Sequence, residues 1–248
     1  MSDTTLMRVK SRRFPHLSRR MLGDYSIFAA MVAAAALVAV MLITVFVSFF
    51  RPIEKSGWDL AQQLGNWFAL GIAAHVGARE FWLYVTHGQT RRNFFGEASI
   101  FVAIFAAVLA LFYALGFWIE APLYAAMGWP QEAHEPTIYR SVLSAPMVLL
   151  ESWLTYFVWG AAGLAIGAGF YRSTLWGVVT IGVAMFVAQM VSLSLGQDAG
   201  PIGSLVRVGA VPDQPDLLVA SLVHLAGGAV LLGAAWIAMK DAPIHARK

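Results

Sequence analysis

Long apolar runs leave this chain few folds to choose from. Six segments, at about 24–50, 59–78, 97–119, 145–169, 174–195 and 216–238, approach or exceed the roughly 20 residues that carry a helix across about 30 Å of hydrocarbon. Lipid offers the backbone no hydrogen bonds, so such runs must satisfy their own amides and become helices. The sequence therefore predicts an all-α integral membrane protein with six transmembrane helices in one domain, residues 24–239. A basic, amphipathic segment (1–23) precedes it and a short tail (240–248) follows. The second run is the weakest, because Asn66 and His75 interrupt it; Trp58 and Arg79 bracket it as interface anchors would.

Composition agrees: 59% of residues are hydrophobic and 12% charged, against about 25% charged in soluble domains. The net charge of +3 could suggest a polyanionic partner, but the cations fall in the gaps between apolar runs, where topology explains them. The absence of cysteine excludes disulfides, thiol catalysis and thiolate metal sites within this chain.

Basic residues set the orientation. Arg8, Lys10, Arg12, Arg13, Arg19, Arg20, Arg79, Arg91, Arg92, Arg172, Lys240, Arg247 and Lys248 fall on one side of the predicted bundle; only Arg51, Lys55, Arg140 and Arg207 fall on the other. The first side is predicted to be cytoplasmic, with both termini there, in a bacterial plasma membrane. The N-terminal stretch has a signal-peptide-like charge pattern, but its apolar run is too long for a cleaved leader and more spans follow. It reads instead as an interfacial segment broken at Pro15, with Leu17, Met21 and Leu22 flanking Arg19 and Arg20. Of the two long outer loops, 120–144 is acidic and proline-containing, while 196–215 carries Ile202, Leu205, Val206 and Val208 among glycines and prolines. The latter either dips into the bilayer against protein or lies hydrated above it.

No phosphate-binding loop is present, since neither Gly-Lys-Ser nor Gly-Lys-Thr occurs; no GxSxG elbow and no HExxH spacing occur either. The reading assigns no metal site and no catalytic residue. Asn66, His75, Glu151, Gln189 and His224 are the polar groups inside apolar runs, and polar groups at that depth often line a pathway. Each has a plainer role open to it: Glu151 reaching water near the end of its span, Asn66 and His75 bonding between helices. Gly163 and Gly167 form a GxxxG, and Ala229 with Gly233 repeats its spacing, which brings backbones close within one subunit or between two.

The link between the second and third runs, YVTHGQTRRNFFGE, reads as a cytoplasmic elbow. Gly88 can close one helix in the left-handed conformation and Thr90 can N-cap the next. Arg91 and Arg92 would then occupy the positive end of a helix dipole, at up to about 1 kcal/mol each. Lipid phosphates would offset that cost, as would an acidic groove on a soluble partner.

Gly88-Gln89-Thr90-Arg91-Arg92-Asn93-Phe94-Phe95 resembles the G-x-[ST]-R-R-x-F-F stretch of small permeases of type 2 ATP-binding cassette exporters. The six-span layout, the basic N-terminus and the partly apolar loop before the last span are similar to that family too. The resemblance implies a permease subunit, not itself an enzyme, that moves a hydrophobic or amphipathic drug, peptide or lipid. Separate ATPase subunits would hold ATP and Mg, none being bound by this chain. A second permease copy, identical or not, would complete the complex. Gly88, Thr90, Arg91, Arg92, Phe94 and Phe95 would form the coupling contact. The alternative is a membrane-embedded enzyme or ion-coupled carrier using Glu151, His75 and His224.

Overall fold

The computed structural model describes residues 17–134, 137–139, 141–197 and 215–243. Among the described residues the α-helices are α1 (Leu17–Ser48), α2 (Ala61–His75), α3 (Phe81–Thr86), α4 (Arg91–Met127), α5 (Ala145–Arg172), α6 (Thr174–Ser192) and α7 (Leu217–Lys240). There are no strands among the described residues. Five helices, α1, α4, α5, α6 with its 3-10 extension, and α7, are long and apolar enough to cross a membrane.

The expected count of six is thus not reproduced by helices of spanning length among the described residues. The second expected crossing is divided: α2 has 15 residues, about 22 Å at 1.5 Å per residue, and a π turn at Val76–Glu80 separates it from α3. The backbone stays helical through this turn, which packs tightly on α5. Gly77 lies so close to α5 that a Cβ there would come within 2.8 Å of the Leu164 carbonyl and 3.0 Å of the Ala168 amide. Most expected loop and tail segments, residues 1–16, 198–214 and 244–248, lie outside the described residues. Residues 17–23 run into the first expected span as one continuous helix, without a separate interfacial piece.

α5 is the centre of the bundle, with 89% of its most apolar window buried. It packs on α2, α4, α6 and α7, which explains why its sequence is apolar on every side rather than striped. Gly163 and Gly167 carry that packing: a Cβ on either would fall well inside 3.0 Å of the backbone of Leu70 or Ala74 on α2. In α7 the close approaches belong to Gly227, against Val191, and Gly228, against the Phe157 ring. Ala229 is exposed and Gly233 faces open space. α1 is the outermost helix, with only 11% of its window buried, and its exposed Ile27, Met31, Val38, Leu42 and Phe46 form a surface suited to lipid.

At the elbow, Gly88 adopts φ 78° and Thr90 Oγ1 accepts the Asn93 amide at 3.2 Å, capping α4. Phe94 is fully buried, edge-on to both Phe81 and Tyr84, while Phe95 packs against Trp236 of α7. Arg91 turns back across α4 and donates to the carbonyl of Lys240 at 2.6 Å. Arg92 is exposed.

Candidate functional site

The opposite end of the bundle, where residues 49–60 and 128–144 meet, holds a buried polar network. Trp58 anchors it. Its indole lies over Gly116, where a Cβ would collide with the ring, and its Nε1 donates to the Tyr113 carbonyl at 2.8 Å. This places the next residue, Asp59, against α4. Asp59 is 8% exposed and accepts three contacts: the Tyr113 hydroxyl at 2.8 Å on Oδ1, the His134 amide at 2.7 Å on Oδ2, and His134 Nδ1 at 3.2 Å on Oδ2.

The consequence is a histidine held at both its backbone amide and its ring by one carboxylate oxygen, Oδ2. With Nδ1 protonated toward Asp59, Nε2 is left as the basic nitrogen. The His134 side chain is 37% exposed and lines a cavity of about 250 Å³. A buried acid that orients a reachable imidazole is the base–orienter half of a general-base site.

Behind the pair lie Tyr113, Tyr139 and Tyr156, all buried. Tyr139 shares a hydrogen bond with Tyr113 and lies close to Glu151 and Asp59. Burial pushes its phenol well above the usual tyrosine range, and the two carboxylates push it further. It therefore stays neutral and able to donate. Glu151 is 1% exposed and accepts the Ile138 amide at 2.8 Å and Gln197 Nε2 at 3.2 Å. A third carboxylate, Glu120, accepts from Ser56 Oγ, from the Trp58 amide at 3.0 Å and from Gln131 Nε2 at 3.1 Å. Its hydrogen bonds pin the 49–60 loop to α4, which makes Glu120 a positioning group rather than a reacting one. No three His, Asp or Glu side chains converge as metal ligands would among the described residues.

The intramembrane groups singled out from sequence do not form one pathway. Glu151 joins the network through Tyr139 and residue 138. His224, although buried, bonds the Ala220 carbonyl at 2.8 Å and lies 3.5 Å from Ser194 Oγ, on the far side of the 193–197 turn from Glu151. His75 is near the other end of the bundle, 4.0 Å from Glu80 and edge-on to Tyr25. Asn66 Oδ1 and Gln189 Oε1 are buried without a hydrogen-bond partner among the described residues. Asp59, Tyr113 and His134 were missed. Asp59 looked like a span boundary, Tyr113 one aromatic within an apolar run, and His134 a loop residue. The one available signal was an acid at the very start of a weak apolar run.

No family model matches the chain, and neither does any solved structure. A curated protein named apolipoprotein N-acyltransferase, from Pseudomonas putida, is 29% identical over 175 residues, 69% of this chain. The chain spans 32% of that protein's length. This likeness to a protein named as an acyltransferase overturns the expectation of an exporter permease subunit, and with it the expectation that the chain is not an enzyme. The coupling role expected of the elbow loses its basis in the same way.

Proposed function

We propose that this chain is a membrane-embedded enzyme, or the membrane-embedded part of one, that transfers an acyl group to an acceptor presented at the membrane interface. The single observation that carries the reading is the buried Asp59 carboxylate holding His134 at the wall of an open cavity. The acyltransferase name of the partial relative supplies the reaction class, as an analogy.

In this reading an acceptor amine or hydroxyl enters the cavity beside His134. Nε2 takes its proton as the new bond to the acyl carbon forms, and passes that proton to the departing oxygen as the old bond breaks. Asp59 stabilises the transient imidazolium and fixes the tautomer. The chain has no cysteine, so no thioester forms on its own residues; the step that His134 serves is the transfer to the acceptor. Tyr113 holds Asp59 in place through its hydroxyl, which donates to Oδ1 at 2.8 Å.

The α2–π turn–α3 path is taken as the remaining crossing, giving six in all. The cation bias along the chain supports a reading with both termini in the cytoplasm and the His134 end on the outer face of a bacterial plasma membrane. The test is to reconstitute the full chain in vesicles with an acyl-donor lipid and an amine-bearing lipopeptide, and to follow the acylated product by mass spectrometry. His134→Ala is expected to lower the rate by about 100-fold or more, the scale of losing a general base. A wild-type rate no higher than that of the variant would overturn the proposal.

A further inference from the structure

The cavity beside His134 has a second feature that the base–orienter pair does not use. Arg51 and Lys55 both line it, with one acid, Glu54, beside them. Lys55 is positioned by donating to the His134 carbonyl at 3.0 Å, which leaves its ammonium two further hydrogens. No ion pair of Arg51 or Lys55 occurs among the described residues. On the topology that the sequence predicts, this is the side depleted in cations, yet two of its few cations converge on one cavity.

Besides Thr44 and His134, the remaining lining side chains are apolar, Ile43 and Val47 of α1 and Leu60 among them. Along the same α1–α2 seam, a smaller cavity of about 40 Å³ follows, bounded by Ala29 and Ala33 of α1, Leu64 and Phe68 of α2, and Phe112 of α4. Trp58, Ala61 and Leu64 line this second cavity while Gly57 and Leu60 line the first, so the two are neighbours along one stretch of chain. α1 is mostly unpacked, which opens the seam sideways toward lipid.

We propose that this seam is a binding site for an anionic phospholipid. The phosphate lies between Arg51 and Lys55, and one acyl chain runs down the α1–α2 seam past Leu60. Arginine and lysine suit a phosphate through charge-assisted hydrogen bonds, and two cations against one acid favour a headgroup of net negative charge. The apolar continuation selects a lipid over a free anion, because soluble phosphate has nothing to place there. The inference deepens the acyl-transfer reading, because the cavity is the one beside His134, but it concerns binding and is tested without turnover.

The test uses the full chain in a neutral detergent and native mass spectrometry with added phosphatidylglycerol, phosphatidylcholine or inorganic phosphate. Phosphatidylglycerol is expected to be retained in preference to phosphatidylcholine. The double variant Arg51→Ala/Lys55→Ala should weaken it by at least about tenfold, the scale of losing charge-assisted hydrogen bonds. Both side chains are exposed, so the fold does not depend on them, and Arg51→Lys/Lys55→Arg should retain the lipid. Ala33→Phe, which fills the seam, should weaken phosphatidylglycerol without touching either cation. Unchanged binding in the alanine variant, equal retention of phosphatidylcholine, or full competition by inorganic phosphate would each overturn the proposal. Absence of acyl transfer by the wild-type chain, with lipid binding intact, would count against the catalytic reading alone.

Discussion

Arg91, at the first turn of α4, caps the last turn of α7 by donating to the Lys240 carbonyl at 2.6 Å. The arginine stands at the positive end of its own helix dipole but reaches the negative end of another, and the second relationship offsets the first. Arg172 makes a matching contact from the end of α5 to the Ile237 carbonyl at 3.2 Å. The doubled arginines of the elbow thus have unlike roles: Arg91 ties α4 to α7, while Arg92 is exposed.

Arg91→Ala should therefore destabilise the bundle by about 1–2 kcal/mol, the sum of a charge-assisted hydrogen bond and a helix-end interaction. Arg92→Ala should be close to neutral. Thermal unfolding in detergent separates the two, and equal melting temperatures for both variants would show that the α4–α7 contact contributes nothing.

Gly163→Ala and Gly167→Ala should each cost about 1–3 kcal/mol or more, the range of overpacking a dense core. The added methyl meets backbone on α2, which a rotamer change cannot relieve. Gly233→Ala places its methyl in open space and should be neutral or stabilising by a few tenths to about 1 kcal/mol through helix propensity. Urea or thermal melts of the three variants check the ordering.

Asp59→Asn keeps the shape of the orienting side chain but puts an amide where a carboxylate accepts from His134 and Tyr113. Under the proposed reaction it should lower turnover by about 100-fold or more with binding of the acceptor largely unchanged. A fall in acceptor affinity alone, with turnover preserved, would show that Asp59 shapes the cavity and does not act on the base.

Glu120→Ala removes the acceptor for Ser56, the Trp58 amide and Gln131 at once. Two buried donors, Ser56 Oγ and the Trp58 amide, are then left unpaired, while Gln131 keeps its bond to the Phe117 carbonyl, so the variant should lose about 2 kcal/mol or more. The 49–60 loop should loosen with it, read as faster hydrogen exchange at the Trp58 amide. Glu120→Gln, which keeps the acceptor oxygen, should retain most of the order.

Hydropathy carried the fold class because membrane insertion is a sum over neighbouring residues. Apolar runs such as those of α1, α4 and α7 read the same in isolation as in the bundle. The elbow caps at Gly88 and Thr90 were legible for a similar reason, since a cap involves residues only a few positions apart. The second crossing was not, because its π turn packs on α5 through Gly77, a contact between residues far apart in sequence.

The site divides along the same line. A cost for Arg91 and Arg92 at a helix N-terminus follows from sequence alone, but the group that offsets it for Arg91 is a carbonyl 149 positions away, visible only once α4 and α7 are packed. Asp59, Tyr113 and His134 are separated by 54 and 75 positions from the acid to its two partners. Each is ordinary where it stands in the chain. Sequence by itself determined a helical membrane protein without cysteine chemistry. Tertiary structure decided which polar groups meet, because burial of an ionisable pair is set by neighbours brought from three separate segments.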